Sequence, residues 1–343
     1  MTALSFRLLA AAVVSVGSLA SGAALADGEL NIYSHRQPFL IEPFIKKYEE
    51  ETGTRVNIVF AEKGLVQRLQ AEGEQSPADV ILTVDIARLA EYADADLLAA
   101  TESDILKADI PDHLRDPQNR WFAFAKRTRV IAVAKDMPEA DRPKRYEDLA
   151  DPVWKGRICT RPGSHVYNRA LTASMIAAHG VDGATDWAQG LVDNLARKPQ
   201  GNDRAQAKAI FEGQCDVAIM NNYYYGKMLT SEDPAQHDWA AAIDIIFPNQ
   251  GDDDRGAHIN VSGGGIAIHS KNKDEARRFL EFLTEPEAQR LYADVNYEYP
   301  VNPTVAPSDE LISWGEFRED TLPISRIAEL APDAQKVIDT VGW

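Results

Sequence analysis

The chain has 343 residues, 45% of them hydrophobic, and a formal net charge of −17. That is enough chain for two domains, and the acidity excludes a nucleic-acid partner or docking on an anionic membrane surface. Residues 1–26 hold one early cation, Arg7, an apolar run from Leu8 to Val16, and a closing Ala24-Leu25-Ala26. This is the pattern of a cleaved secretory signal. Gly17, Ser18, Ser21 and Gly22 interrupt the run, so it is a poor membrane anchor. Cys159 and Cys215 are the only cysteines. An oxidising compartment lets them pair, and two buried thiols are the other reading.

From residue 30 the chain alternates short apolar runs with helical periodicity. Strands are predicted over 30–33, 56–60 and 79–83, and helices over 39–52, 64–72 and 86–94. This order calls for a parallel sheet covered by helices on both faces. A long extended segment, 121–135, precedes a second set: strand 156–160, helices 168–179 and 182–195, helix 203–212 and strand 216–220. Strands 243–247 and 265–269 follow, then paired helices over 274–294 broken at Pro286, then a mostly helical stretch from 308. Two α/β sets joined by extended crossovers imply two lobes with a ligand cleft at the carboxyl ends of the strands. Gly263-Gly264-Gly265 is not a dinucleotide fingerprint and is expected to let a crossover strand bend. Asp252-Asp253-Asp254 reads as a solvated loop.

The segment Asn221-Asn222-Tyr223-Tyr224-Tyr225-Gly226 directly follows a predicted strand. Three tyrosines there can pack a lobe interface, stack on a ligand, or bind a metal. A phenol has a pKa of about 10, but a trivalent cation displaces its proton, and hard oxygen anions suit such ions. No Cys/His cluster offers a soft-metal site. Neighbours on a helix point about 100° apart, so Tyr223 and Tyr224 are expected to share a metal only in an irregular turn such as a strand-to-helix junction, which the position after Met220 supplies. Tyr167 occupies the matching post-strand loop. No G-x-S-x-G, H-E-x-x-H or paired-carboxylate signature supports an exported hydrolase.

The whole mature chain resembles the periplasmic ferric-iron-binding proteins, the bacterial transferrin-like substrate-binding proteins of ABC iron importers. Asn31-Ile32-Tyr33-Ser34, Ser76-Pro77-Ala78-Asp79-Val80, residues 83–89, Pro199-Gln200-Gly201-Asn202-Asp203, Asn222-Tyr223-Tyr224 and Phe247-Pro248-Asn249-Gln250 carry the resemblance. It implies a two-lobed type II periplasmic binding protein of α/β class, each lobe a mainly parallel sheet with flanking helices. The lobes would comprise 27–128 with 255–300, and 129–254 with 301–343. It implies Tyr167, Tyr223 and Tyr224 as ligands of Fe(III), with Tyr225 in packing. Where some branches carry a His-Tyr pair in the first loop, this chain has Gln37 and Pro38. The resemblance is therefore to a three-tyrosine branch, with carbonate or a similar small anion completing the iron shell. Arg36, Gln37 and Arg129 become candidate anion holders, and His35, Glu62 and Arg127 candidates for supporting roles. The implied protein is a monomer that passes iron to an inner-membrane permease without entering the membrane. A polyamine or oxyanion ligand is the alternative.

Overall fold

The computed structural model describes residues 28–343; the expected export signal over 1–26 lies outside the described residues. Among the described residues ten strands run in the order β1 (Glu29–Ser34), β2 (Arg55–Phe60), β3 (Val80–Thr83), β4 (Leu98–Ala99), β5 (Phe122–Ala134), β6 (Ile158–Cys159), β7 (Val217–Asn221), β8 (Ile243–Ile246), β9 (Ile259–Ala267) and β10 (Tyr299–Pro300). All four residues of β3 and all nine of β9 are buried, as expected for strands covered on both faces. The helix Pro38–Thr52 buries Leu40, Ile41, Phe44 and Tyr48, one stripe at helical spacing.

In the first lobe β1 pairs in parallel with β2 and β3, and β9 then lies antiparallel to β3 and β5. In the second, β6 and β7 are parallel, and β5 runs antiparallel to β7 and β8. Each sheet is thus a parallel core closed by an antiparallel crossover strand. The crossover β5 changes partner at one peptide: Phe122–Thr128 pair with β9, and Arg129–Val133 with β7.

Opposite the glycine run in β9, strand β5 is irregular, its register shifting between Ala123 and Ala125. A Cβ at Gly263, Gly264 or Gly265 would lie 2.4, 2.3 or 2.2 Å from a carbonyl oxygen of Phe122, Ile81 or Arg120. Glycine is needed there because neighbouring backbones approach too closely for any side chain. The predicted break between two helices near residue 180 is real: Gly180 has φ 72° inside Val166–Asp193. Helix Pro234–Ala241 and the two-residue strands β4 and β10 were not anticipated.

Cys159 and Cys215 form a disulfide with Cα atoms 5.9 Å apart. It joins β6 to Cys215, two residues ahead of β7, and so ties together the two neighbouring strands that lead to the tyrosines. Among the described residues no helix is long and apolar enough to cross a membrane.

Candidate metal and anion site

Strand β7 ends at Asn221 and helix Asn222–Leu229 begins without a break. Asn222 holds this junction: its Oδ1 accepts from Thr128 N at 3.0 Å, and its Nδ2 donates to Tyr297 O at 2.9 Å. Tyr223 and Tyr224 therefore sit at the expected strand-to-helix junction, in the first turn of the helix. Their rings stack, with centroids 4.4 Å apart and planes 30° apart. The turn is terminal, so side-chain rotation can bring both rings to the open end of the helix. A Cβ at Gly226 would fall 2.3 Å from the Tyr297 ring, so glycine lets this helix seat against that residue.

Tyr167 arrives from the neighbouring loop, in the first turn of Val166–Asp193. His165 caps that helix, its Nδ1 accepting from Tyr167 N at 3.3 Å. The phenol oxygens of Tyr167 and Tyr223 lie 3.1 Å apart. All three tyrosines thus stand at helix N-termini, where the backbone dipole favours negative charge.

Burial, then the neighbouring Tyr167 and Tyr224, push the Tyr223 phenol well above its ordinary range. Burial raises Tyr224 as well. These phenols stay protonated at neutral pH until a strong cation displaces the protons. Arg161 and Arg127 stand 5.0 and 5.3 Å from the Tyr167 ring centroid. Behind them Asp203, wholly buried, accepts from Arg129 Nη1 at 2.7 Å, Arg161 Nη1 at 3.1 Å and Asn221 N at 2.8 Å. Burial alone would raise its pKa, but the two arginines hold it below the usual carboxylate range.

The tyrosines face a cleft of about 980 Å³ whose lining also includes His35, Arg36, Gln37, Glu62 and Arg127. Gln37 is exposed at the N-terminus of helix Pro38–Thr52, with no side-chain capping bond. Glu62 is exposed, its carbonyl accepting from Arg88 at 3.2 Å. Three assignments change.

Arg129 does not line the cleft. Its fork is taken by Asp203, Asn168 and Asn221, which makes it a buried counterion and not an open anion clamp. Arg36 lines the cleft but is ion-paired with Glu298 and donates to Ser262 Oγ at 2.8 Å. His35 is buried with both ring nitrogens engaged, Nδ1 to Ala61 O at 2.6 Å and Nε2 to the Tyr92 hydroxyl at 2.8 Å. Burial, then nearby Arg88, lowers its pKa to about 4. It braces the first lobe. Arg127 is buried beside the cleft, donating to Val84 O and facing Asp85 Oδ2 at 3.9 Å.

Asp203, Glu298 and Arg161 were not singled out from sequence, although Asp203 ends the Pro199–Asp203 run. Arg204 stands 5.4 Å from the Tyr224 ring centroid, and Lys227 donates to Val295 O at 2.6 Å. Eight Lys or Arg and three Glu side chains line the cleft, a local cationic excess in a protein of net charge −17. Among the described residues no group of three or more His, Cys, Asp or Glu is placed to hold a metal.

Two lobes with their own sheets, joined by crossover strands and facing each other across a polar cleft, define a periplasmic-type solute-binding protein. The chain belongs to the bacterial extracellular solute-binding protein family, which it matches over residues 33–290. It is similar to iron uptake protein A1 of Synechocystis, with 41% identity over 316 residues, 92% of this chain and 87% of that protein. It also resembles the crystal structure of apo ferric ion-binding protein A from Pasteurella haemolytica: 47% identity, TM-score 0.86, covering 92% and 98% of the two chains. The Trichodesmium protein (IdiA, FutA) in complex with iron and citrate ligands is similar at 40% identity and TM-score 0.86, covering 92% of this chain and all of that one.

Proposed function

We propose that this protein captures Fe(III) in the periplasm through Tyr167, Tyr223 and Tyr224 and delivers it to an ABC-type inner-membrane permease. The observation that carries the reading is the convergence of the three phenols, with Tyr167 and Tyr223 oxygens 3.1 Å apart and Tyr224 stacked on Tyr223. Three phenolates neutralise a ferric ion, and hard oxygen donors select it over softer divalent ions. The names and contents of the relatives support the same cargo.

Charge calls for a second component. With the phenolates spent on iron, the cationic excess of the cleft is left to an anion, carbonate or a carboxylate chelator. Gln37 and Arg204 are the side chains we assign to it. Arg36 joins only where the anion displaces Glu298. The same excess stands against a polyamine. The lobes are taken as 27–128 with 255–300 and 129–254 with 301–343, in accord with the partner change of β5 at Thr128–Arg129. Closure about that crossover would bury the cargo and form the surface a permease reads. The role is binding and not catalysis, and the working unit is a monomer exported by the 1–26 signal.

Titration with Fe(III), with and without bicarbonate or citrate, tests this reading. A visible tyrosinate-to-iron absorption band that saturates at one iron per chain, and needs the anion for full intensity, is expected. Tight Fe(II) binding without such a band would contradict it.

A further inference from the structure

The loop that carries Tyr167 is backed by a residue from the far end of the sequence. At Gly163 a Cβ would lie 2.6 Å from Trp343 Cγ, so the loop backbone rests directly on the indole. Trp343 is 7% exposed and packs edge-on against Trp187, centroids 5.8 Å apart and planes at 76°. Its indole N–H has no hydrogen-bond partner. The contact is therefore one of shape and apolar burial, which a smaller side chain would forfeit.

On its other side the loop is stiff. His165 N donates to Pro162 O at 3.1 Å, and Asn168 Nδ2 donates to Arg161 O at 3.0 Å. A displacement of Gly163 must then carry Arg161, His165 and Tyr167 with it. The helix Ala331–Val341 that delivers Trp343 lies along Val166–Asp193, and the preceding helix Ile324–Glu329 packs on both Ile86–Asp94 and Val166–Asp193.

We propose that Trp343 is a positioning residue for Tyr167: it holds the 161–167 loop so that the Tyr167 phenol meets Tyr223 within reach of one ion. Removing the indole opens space behind Gly163, and the loop can retreat from the cleft. This rests on the iron reading above.

Trp343→Ala, Trp343→Phe and Val341→Ala in the otherwise intact chain provide the test, read by the charge-transfer band, by iron transfer to a competing chelator, and by thermal unfolding. Val341 lies in the same helix core, so it controls for loss of packing alone. Trp343→Ala is expected to weaken iron binding by about tenfold or more, the usual effect of removing support behind a metal ligand, and to shift the band. Trp343→Phe should restore most of both. Val341→Ala should lower the melting temperature while leaving the band in place. A wild-type band and affinity in Trp343→Ala would overturn the proposal, as would equal loss of binding in Val341→Ala at equal loss of stability. Absence of any band in the unaltered protein would instead remove the iron reading, and this inference with it.

Discussion

Asn222 and Thr128 are joined across the molecule, the Asn222 Oδ1 accepting from the Thr128 backbone N–H at 3.0 Å. Thr128 is the last residue of β5 to pair with β9, and Asn222 is the residue before the tyrosine pair. The point at which the chain passes between lobes is thus bonded to the helix that presents two of the three phenols. Asn222→Ala leaves the buried Thr128 N–H and Tyr297 carbonyl without this partner. A loss of about 2–4 kcal/mol is expected from two such groups, together with weaker iron binding. Denaturant unfolding and iron competition check it; unchanged values in both would show the junction to be dispensable.

The disulfide and the facing phenols share a spacing of 56 residues, each cysteine lying eight residues before a tyrosine. Chain entropy for a loop of that size gives about 4 kcal/mol of stabilisation. Cys159→Ala with Cys215→Ala should lower unfolding free energy by about that amount. Chemical reduction should do the same once the buried bond is reached. Equal stability of the oxidised protein and the double variant would refute this.

Three histidines are held neutral by burial: His35 at about 4, His165 at about 3, and His258 well below its ordinary value. Their unfolded forms take up protons near pH 6.5. Their contribution is therefore complete above that pH and is lost as pH falls toward the folded values. For the well-buried His35 and His258 the slope reaches up to ~1.4 kcal/mol per pH unit each. Unfolding free energy of the iron-free protein should decline from pH 6.5 to 5, and His35→Gln should flatten part of that decline. A pH-independent stability across this interval would contradict the assignment.

Much of the architecture is legible in sequence because local pattern and environment agree. Continuous apolar runs such as Val80–Thr83 are strands buried on both faces, and the periodic stripe of residues 39–52 is a helix laid on them. That Tyr167 and Tyr223 meet was legible through the family resemblance and not from residue type alone, because tyrosines clustered after a strand can equally pack a lobe interface. The anion clamp was not. Arg36 finds Glu298, 262 positions away, and Arg129 finds Asp203, 74 away, so neither guanidinium is free in the way its loop suggests. Such partners are fixed by topology, which no local window contains. The strand-to-helix junction that presents Tyr223 and Tyr224 was legible because the pair directly follows a strand. Ideal helix angles set neighbouring Cβ atoms apart, and rings at a helix terminus still have room to swing together.

The central claim is that three phenols hold the iron. Fe(III) titration of Tyr167→Phe, Tyr223→Phe, Tyr224→Phe and the triple variant, followed by visible absorption and chelator competition, tests it most directly. Each single variant is expected to bind with lower affinity and a weakened or shifted band, and the triple variant to show no band and no tight binding. A triple variant that keeps the band and the affinity of the unaltered protein would contradict the account.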